Sequence, residues 1–189
     1  MNRRSFLLAV PVLGAVVVST VAARGKPAKA GQLAQPQGSD LRARFQYLST
    51  HGNSNCSDAF RDSIPSMQDS MRLQGSCCSP MDRNTYMRQV TALRQYQNVP
   101  EIPNDPYDIP AKLAKQLLTF DQTIVLTAAQ QAVLDDAVPR TNEKGYCCCQ
   151  CWRWNTYEGL SKYLVQNYAF TADQIVDVLD NSDGCGGAG

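Results

Sequence analysis

The run Tyr146-Cys147-Cys148-Cys149-Gln150-Cys151-Trp152 places four of the chain's eight cysteines within five positions. A disulfide needs a restricted Cα–Cα separation and converging Cβ vectors, and neighbouring residues meet neither condition without strain. Three consecutive cysteines are therefore a poor disulfide framework. Thiols crowded onto one short loop suit a soft metal better, or a reactive dithiol.

Cys147, Cys149 and Cys151 alternate, and in an extended loop alternation puts them on one side. If the loop wraps, all four thiols converge. A helix predicted after Asn155 would offer backbone N–H groups that favour the thiolate form. A second sulfur-rich stretch holds Met67, Met71, Cys77-Cys78, Met81 and Met87, which is every methionine except Met1. Thioether and thiolate together are what Cu(I) prefers, and a single histidine in the chain argues against Zn or Cu(II). The competing reading is that these methionines fill irregular gaps between helices. Cys56 and Cys185 stand alone, and a disulfide to a cluster cysteine or to each other is their expected structural role. A mobile terminal thiol at Cys185 can also serve as a ligand or a resolving cysteine.

Other chemistry finds little support. His51 would have to supply any Cys/His or Ser/His dyad, and a lone loop histidine is more often simply solvated. Asp82, Asp105, Asp108, Asp135 and Asp136 show no spacing suited to a hard metal or to acid–base work. Eighteen basic and seventeen acidic residues nearly cancel, with no basic run after the first residues, so nothing recommends a nucleic acid.

Asn2-Arg3-Arg4-Ser5-Phe6-Leu7 opens with charge, and Phe6 to Val21 is almost wholly apolar. This reads as a leader over residues 1–30 with small-residue cleavage sites. Its paired arginines resemble a twin-arginine export signal, the alternative being an ordinary secretory leader. The resemblance implies export in the folded state, with thiols reduced and able to be metallated first. Left uncleaved, the leader would be the chain's only membrane contact. Residues 31–38 read as a tether rich in small and polar residues, leaving residues 39–189 as one domain.

That domain reads as all-α, an irregular bundle of about six or seven helices with cysteine-bearing junctions and no strands. Helices are expected from Ser39, from Ser57 to Leu73 with a break at Pro65, from Ser79 and Pro80 to about Asn98, and from Ala111 to Leu118. Thr127 with Gln130, Asn155 with Glu158 and Thr171 with Gln174 form capping boxes for three more. Gly75 reads as a helix stop.

The run Tyr146 to Cys151 resembles the motif of exported PCYCGC-motif proteins. Cys147, Cys149 and Cys151 match the three motif cysteines, while Tyr146 replaces the proline and Cys148 the tyrosine. The resemblance implies an exported cysteine-cluster protein and nothing about chemistry.

Together these features point to an exported, periplasmic or extracellular protein that binds a soft thiophilic metal, Cu(I) before others. Storage, delivery or detoxification would be its role, in concert with a metal-handling or redox partner. The expected ligands are Cys77, Cys78, Met81, Cys147, Cys148, Cys149 and Cys151. The alternatives are a thiol–disulfide redox protein and a scaffold braced by disulfides. The junction at Cys77-Cys78 should meet the loop at Cys147 to Cys151, with sulfurs roughly 3.5–4 Å apart if they share an ion.

Overall fold

The computed structural model describes residues 38–186. The expected leader and nearly all of the tether lie outside the described residues. Seven α-helices make up most of the structure: α1 Gly38–His51, α2 Asp58–Ser63, α3 Arg83–Leu93, α4 Ala111–Thr123, α5 Ala128–Ala137, α6 Trp152–Tyr168 and α7 Ala172–Ser182. Two three-residue strands, β1 Arg72–Gln74 and β2 Asp108–Pro110, pair antiparallel with Leu73 opposite Ile109. The helical class expected from the sequence is what the structure shows. No helix among the described residues is long and apolar enough to cross a membrane.

Helix α6 is the axis of the domain. It buries Tyr157, Leu160, Leu164 and Val165 against Leu117 of α4, Leu134 of α5 and Ile175, Val178 and Leu179 of α7. At the crossing with α4, Gly159 has no room for a side chain, since an added Cβ would meet Leu117 O and lie 2.7 Å from Asp121 N. Polar side chains reinforce the crossing. Lys162 Nζ reaches Asp121 Oδ1 at 2.7 Å and Glu158 Oε1 at 2.9 Å, and Asn155 Nδ2 donates to Asp121 Oδ2 at 3.2 Å. Asn155 and Glu158 therefore serve the α4–α6 contact and form no capping box. Helix α6 begins four residues earlier than expected, with Cys151 as its N-cap. The boxes at Thr127–Gln130 and Thr171–Gln174 form as read.

Two further expectations are corrected near the cysteines. The helix from Ser57 ends at Ser63 and passes into a 3-10 turn over Ile64–Ser66, because Pro65 lacks the N–H that would extend it. The chain then enters β1, where Arg72 Nε and Gln74 Nε2 donate to the buried carboxylate of Asp108 in β2. Arg44 of α1 pairs with the same carboxylate. Gly75 does adopt a left-handed conformation (φ 78°), but at the end of this strand, where its Cα packs on Gly52. The helix expected from Ser79 starts instead at Arg83 with Asp82 as its cap. Ser79 is engaged elsewhere: its N–H and its Oγ both donate to Cys185 O, at 2.9 and 3.2 Å.

The proline-rich connection before β2 is packed, with Ile102 and Tyr107 buried. Arg153 of α6 ties it down, donating from Nη1 to Pro106 O at 2.7 Å and from Nη2 to Gly75 O at 3.2 Å.

Candidate metal centre

All eight cysteines meet at one place, each as a free thiol. They come from four places in the chain: Cys56 before α2, Cys77-Cys78 after β1, the loop leading into α6, and Cys185 beyond α7. The disulfides expected for Cys56 and Cys185 are not formed. The expected meeting of the Cys77-Cys78 junction with the Cys147–Cys151 loop does occur, with Cys78 Sγ 3.3 Å from Cys148 Sγ and 3.5 Å from Cys149 Sγ.

The sulfurs divide into two groups. In the outer group Cys78 also contacts Cys56 at 2.9 Å, and Cys149 contacts Cys56 at 3.4 Å. Cys78 and Cys148 are exposed, Cys56 and Cys149 half-buried. In the inner group Cys147 lies 2.9 Å from Cys185 and 3.9 Å from Cys151, and Cys77 lies 3.9 Å from Cys185. Cys77 closes this ring, its sulfur lying within 4.8 Å of that of Cys151. Three of the inner four are almost fully buried, Cys147 at 3 %, Cys151 at 2 % and Cys185 at 3 % exposure. Trp152, Ile109, Leu73, Ile64 and Ala111 pack around them.

Local structure explains the division. The chain bends at Cys77-Cys78, and the two thiols part company there: Cys77 is half-buried against the inner sulfurs and Cys78 is exposed. The loop before α6 wraps: Cys151 N–H donates to Cys149 O at 2.8 Å. Strict alternation is therefore lost, and Cys147 and Cys151 go to the inner group while Cys148 and Cys149 go to the outer. The single-sided placement of Cys147, Cys149 and Cys151 is thus corrected.

Cys185 reaches the site because the segment after α7 is stitched to the Cys77-Cys78 junction. Cys78 N–H and Ser79 N–H both donate to Cys185 O, at 3.3 and 2.9 Å. Gly186 has φ 84° and lies so close to Ser79 O that no side chain fits there. A glycine-rich tail, read in sequence as flexible, is thereby fixed around the thiol it carries.

The electrostatics are asymmetric in each group. Hydrogen bonds from Cys147, Cys151 and Cys185 push the Cys77 thiol down, aided by the charge of Arg153. Cys149 is also pushed down; burial opposes this, and the thiols of Cys56 and Cys78 outweigh it. Burial pushes Cys56 and Cys78 up, and contacts with Cys151 and Cys185 push Cys147 up. Cys147 lowers Cys185 and Cys151, but Cys77 and burial outweigh it, leaving Cys185 raised and Cys151 at about 11. Each group thus contains one sulfur prone to ionise, surrounded by thiols that donate to it.

Arg153 supplies the fixed counter-charge. It is completely buried, stacks 4.6 Å from the Trp152 ring centre and donates to Tyr157 Oη at 2.8 Å. Among the described residues it has no carboxylate partner within salt-bridge distance. A buried cation without a counter-charge is strongly disfavoured. The neighbouring group prone to ionise is the Cys77 thiol; Cys185 and the Tyr157 hydroxyl, both raised, face the guanidinium in neutral form.

Four thiolates around one ion, each about 2.3 Å from it, lie roughly 3.8 Å apart. The observed separations of 2.9 to 3.9 Å are in that range or below it. The cysteine array can hold metal ions.

The other sequence candidates lie elsewhere. Met81 packs with Met87 against the cluster of Leu41, Leu48, Tyr86, Val90 and Tyr107 between α1 and α3. Because the helix starts at Arg83, Met81 precedes its cap and turns toward α1. Met67 packs beside the cysteine cluster and Met71 is exposed. His51 is exposed at the end of α1, stacked on Tyr47 with ring centres 4.6 Å apart. Cys56, expected in a disulfide, is the ligand candidate that residue spacing did not find; Cys185, also expected in a disulfide, had ligation as its alternative. The signal available was the thiol count, because six clustered cysteines leave two four-sulfur sites two ligands short between them.

The chain matches no family model, no curated protein and no solved structure. Fold and site alone define its class: a helical scaffold carrying a contiguous eight-thiol array able to hold metal.

Proposed function

We propose that this chain is an exported protein that binds Cu(I) through thiolates alone, for storage, delivery or detoxification. The observation that carries this reading is the gathering of eight free thiols into one array at ligand-sharing distances. The two groups also touch: Cys77 and Cys78 Sγ are 3.7 Å apart, within the range of sulfur separations in the inner group. Contiguous thiolates can bridge ions, which suits a polynuclear array of a soft monovalent cation more than two separate sites. With Met81 and Met87 in the helix packing, thioether ligation no longer supports Cu(I), and the preference rests on thiolate softness and bridging. The leader supports export, and its paired arginines support export after folding and metal loading.

Anaerobic titration of the reduced chain with Cu(I), followed by metal analysis after gel filtration, tests this. Uptake of two or more Cu(I) per chain is expected. A chain that retains none of Cu(I), Zn(II) or Hg(II) overturns it, and two Zn(II) ions that excess Cu(I) leaves in place reassign the array to zinc.

A second reading draws on the two shortest contacts, Cys56–Cys78 and Cys147–Cys185, both 2.9 Å. Each pair would form a disulfide on giving two electrons and two protons to an oxidant such as a partner's disulfide. Mass spectrometry of the unreduced chain separates the readings. Eight thiols, or bound metal, favour the first; two specific disulfides favour the second; four disulfides would make the array structural.

A further inference from the structure

We propose that the outer group is the exchange face of this array and the inner group its retention site. Soft ions would enter and leave through Cys78 and Cys148, handed to an acceptor that presents thiols. This deepens the Cu(I) reading and depends on it.

Transfer of a soft ion between thiolates is associative. The acceptor's thiol loses its proton and bonds to the ion, one protein sulfur then lets go and takes a proton, and the ion keeps its oxidation state. The acceptor's sulfur must therefore touch the bound ion. Only the outer group allows this, since Cys78 and Cys148 are exposed while Cys147, Cys151 and Cys185 are 2 to 3 % exposed beneath Trp152. An ion in the inner group has a route outward that needs no unfolding. Cys77 and Cys78 are 3.7 Å apart, and Cys56, Cys77 and Cys151 have sulfurs within 4.8 Å of one another. One ion can change ligands from the inner to the outer set in a single step.

The chain neighbours of the outer sulfurs set the acceptor's chemistry. Asn55 and Ser57 beside Cys56, Ser79 beside Cys78 and Gln150 beside Cys149 are uncharged. The face selects by sulfur rather than by charge, unlike a docking patch that steers its partner by opposite charge. Transfer should accordingly vary little with ionic strength.

The test loads the full chain with Cu(I) anaerobically and mixes it with excess dithiothreitol and a chromogenic Cu(I) chelator in a stopped-flow instrument. Two phases are expected, the slower at least about tenfold slower because an inner ion must first migrate to the outer sulfurs across the 3.7 Å Cys77–Cys78 contact. Cys148→Ser should abolish most of the fast amplitude and leave the slow phase, and Cys151→Ser should do the reverse. Raising salt from 50 to 500 mM should leave both rates within about twofold. A single phase in the wild-type chain, or loss of the slow phase alone in Cys148→Ser, overturns the proposal. Because serine variants can misfold, iodoacetamide labelling of the metal-free wild-type chain gives a second measurement. Cys78 and Cys148 should be modified before Cys147, Cys151 and Cys185, and the opposite order also overturns it. A chain that binds no Cu(I) defeats the underlying reading instead, a result distinct from binding with one phase.

Discussion

Cys77 and Cys78 are adjacent in the chain, their sulfurs are 3.7 Å apart, and they belong to different four-sulfur groups. The bend between β1 and α3 packs one thiol against the cluster that holds Trp152 and leaves the other in solvent. The pair joins two groups that would otherwise be independent, and makes them one array.

Arg153 holds positive charge beside the inner sulfurs in a fully buried position. Arg153→Met keeps the bulk and removes both the charge and the hydrogen bonds to Pro106 O and Gly75 O. The metal-loaded chain should lose about 3–5 kcal/mol of stability, the usual cost of breaking a buried charge pair. Denaturant unfolding of loaded and metal-free protein checks this. A loss no larger in the loaded form than in the metal-free form would show that Arg153 acts only through the carbonyls.

Metal binding should release protons, because Cys147, Cys151 and Cys185 in the inner group and Cys56 and Cys78 in the outer are raised above the ordinary thiol value. Affinity should therefore fall as pH falls, since protons compete for the same sulfurs. The metal-free chain has the opposite sign. A thiol raised on folding stabilises the protein below its unfolded pKa, and that stability disappears as pH rises through the folded value. For Cys151 the window runs from 9.0 to about 11. Chelator competition at several pH values checks the first trend, and alkaline melting of metal-free protein the second. Metal affinity independent of pH between 5 and 8 would contradict it.

Met81 serves packing between α1 and α3. Met81→Leu conserves volume, so it should cost less than about 1.5 kcal/mol and leave the number of bound ions unchanged. A drop in stoichiometry on titration would restore Met81 as a ligand.

Gly159 sits where α6 crosses α4, facing Leu117 O and Asp121 N. Gly159→Ala adds a methyl group where backbone leaves no space, and should destabilise by about 1–3 kcal/mol despite alanine's better helix propensity. Thermal melting followed by circular dichroism measures it; a rise in Tm would mean that α4 and α6 separate easily.

The sequence by itself determined the helical class, two capping boxes and the importance of the Cys147–Cys151 loop. These are local properties, set by side chains within a few residues of one another. It also contained a true expectation about the meeting of the two cysteine stretches, because both lie at junctions next to helices. What only the tertiary structure decided is which sulfur joins which group. Met81 left the site when Ser79 bonded to Cys185 O and moved the start of α3 to Arg83. Cys56 and Cys185 entered it from positions with no nearby cysteine in the chain. The hydrogen bonds of Asn53 and Ser54 N–H to Gln74 O hold the Cys56 loop there, and the fit of Gly186 against Ser79 holds Cys185. Such contacts join residues far apart in the chain, and spacing along a sequence carries no record of them.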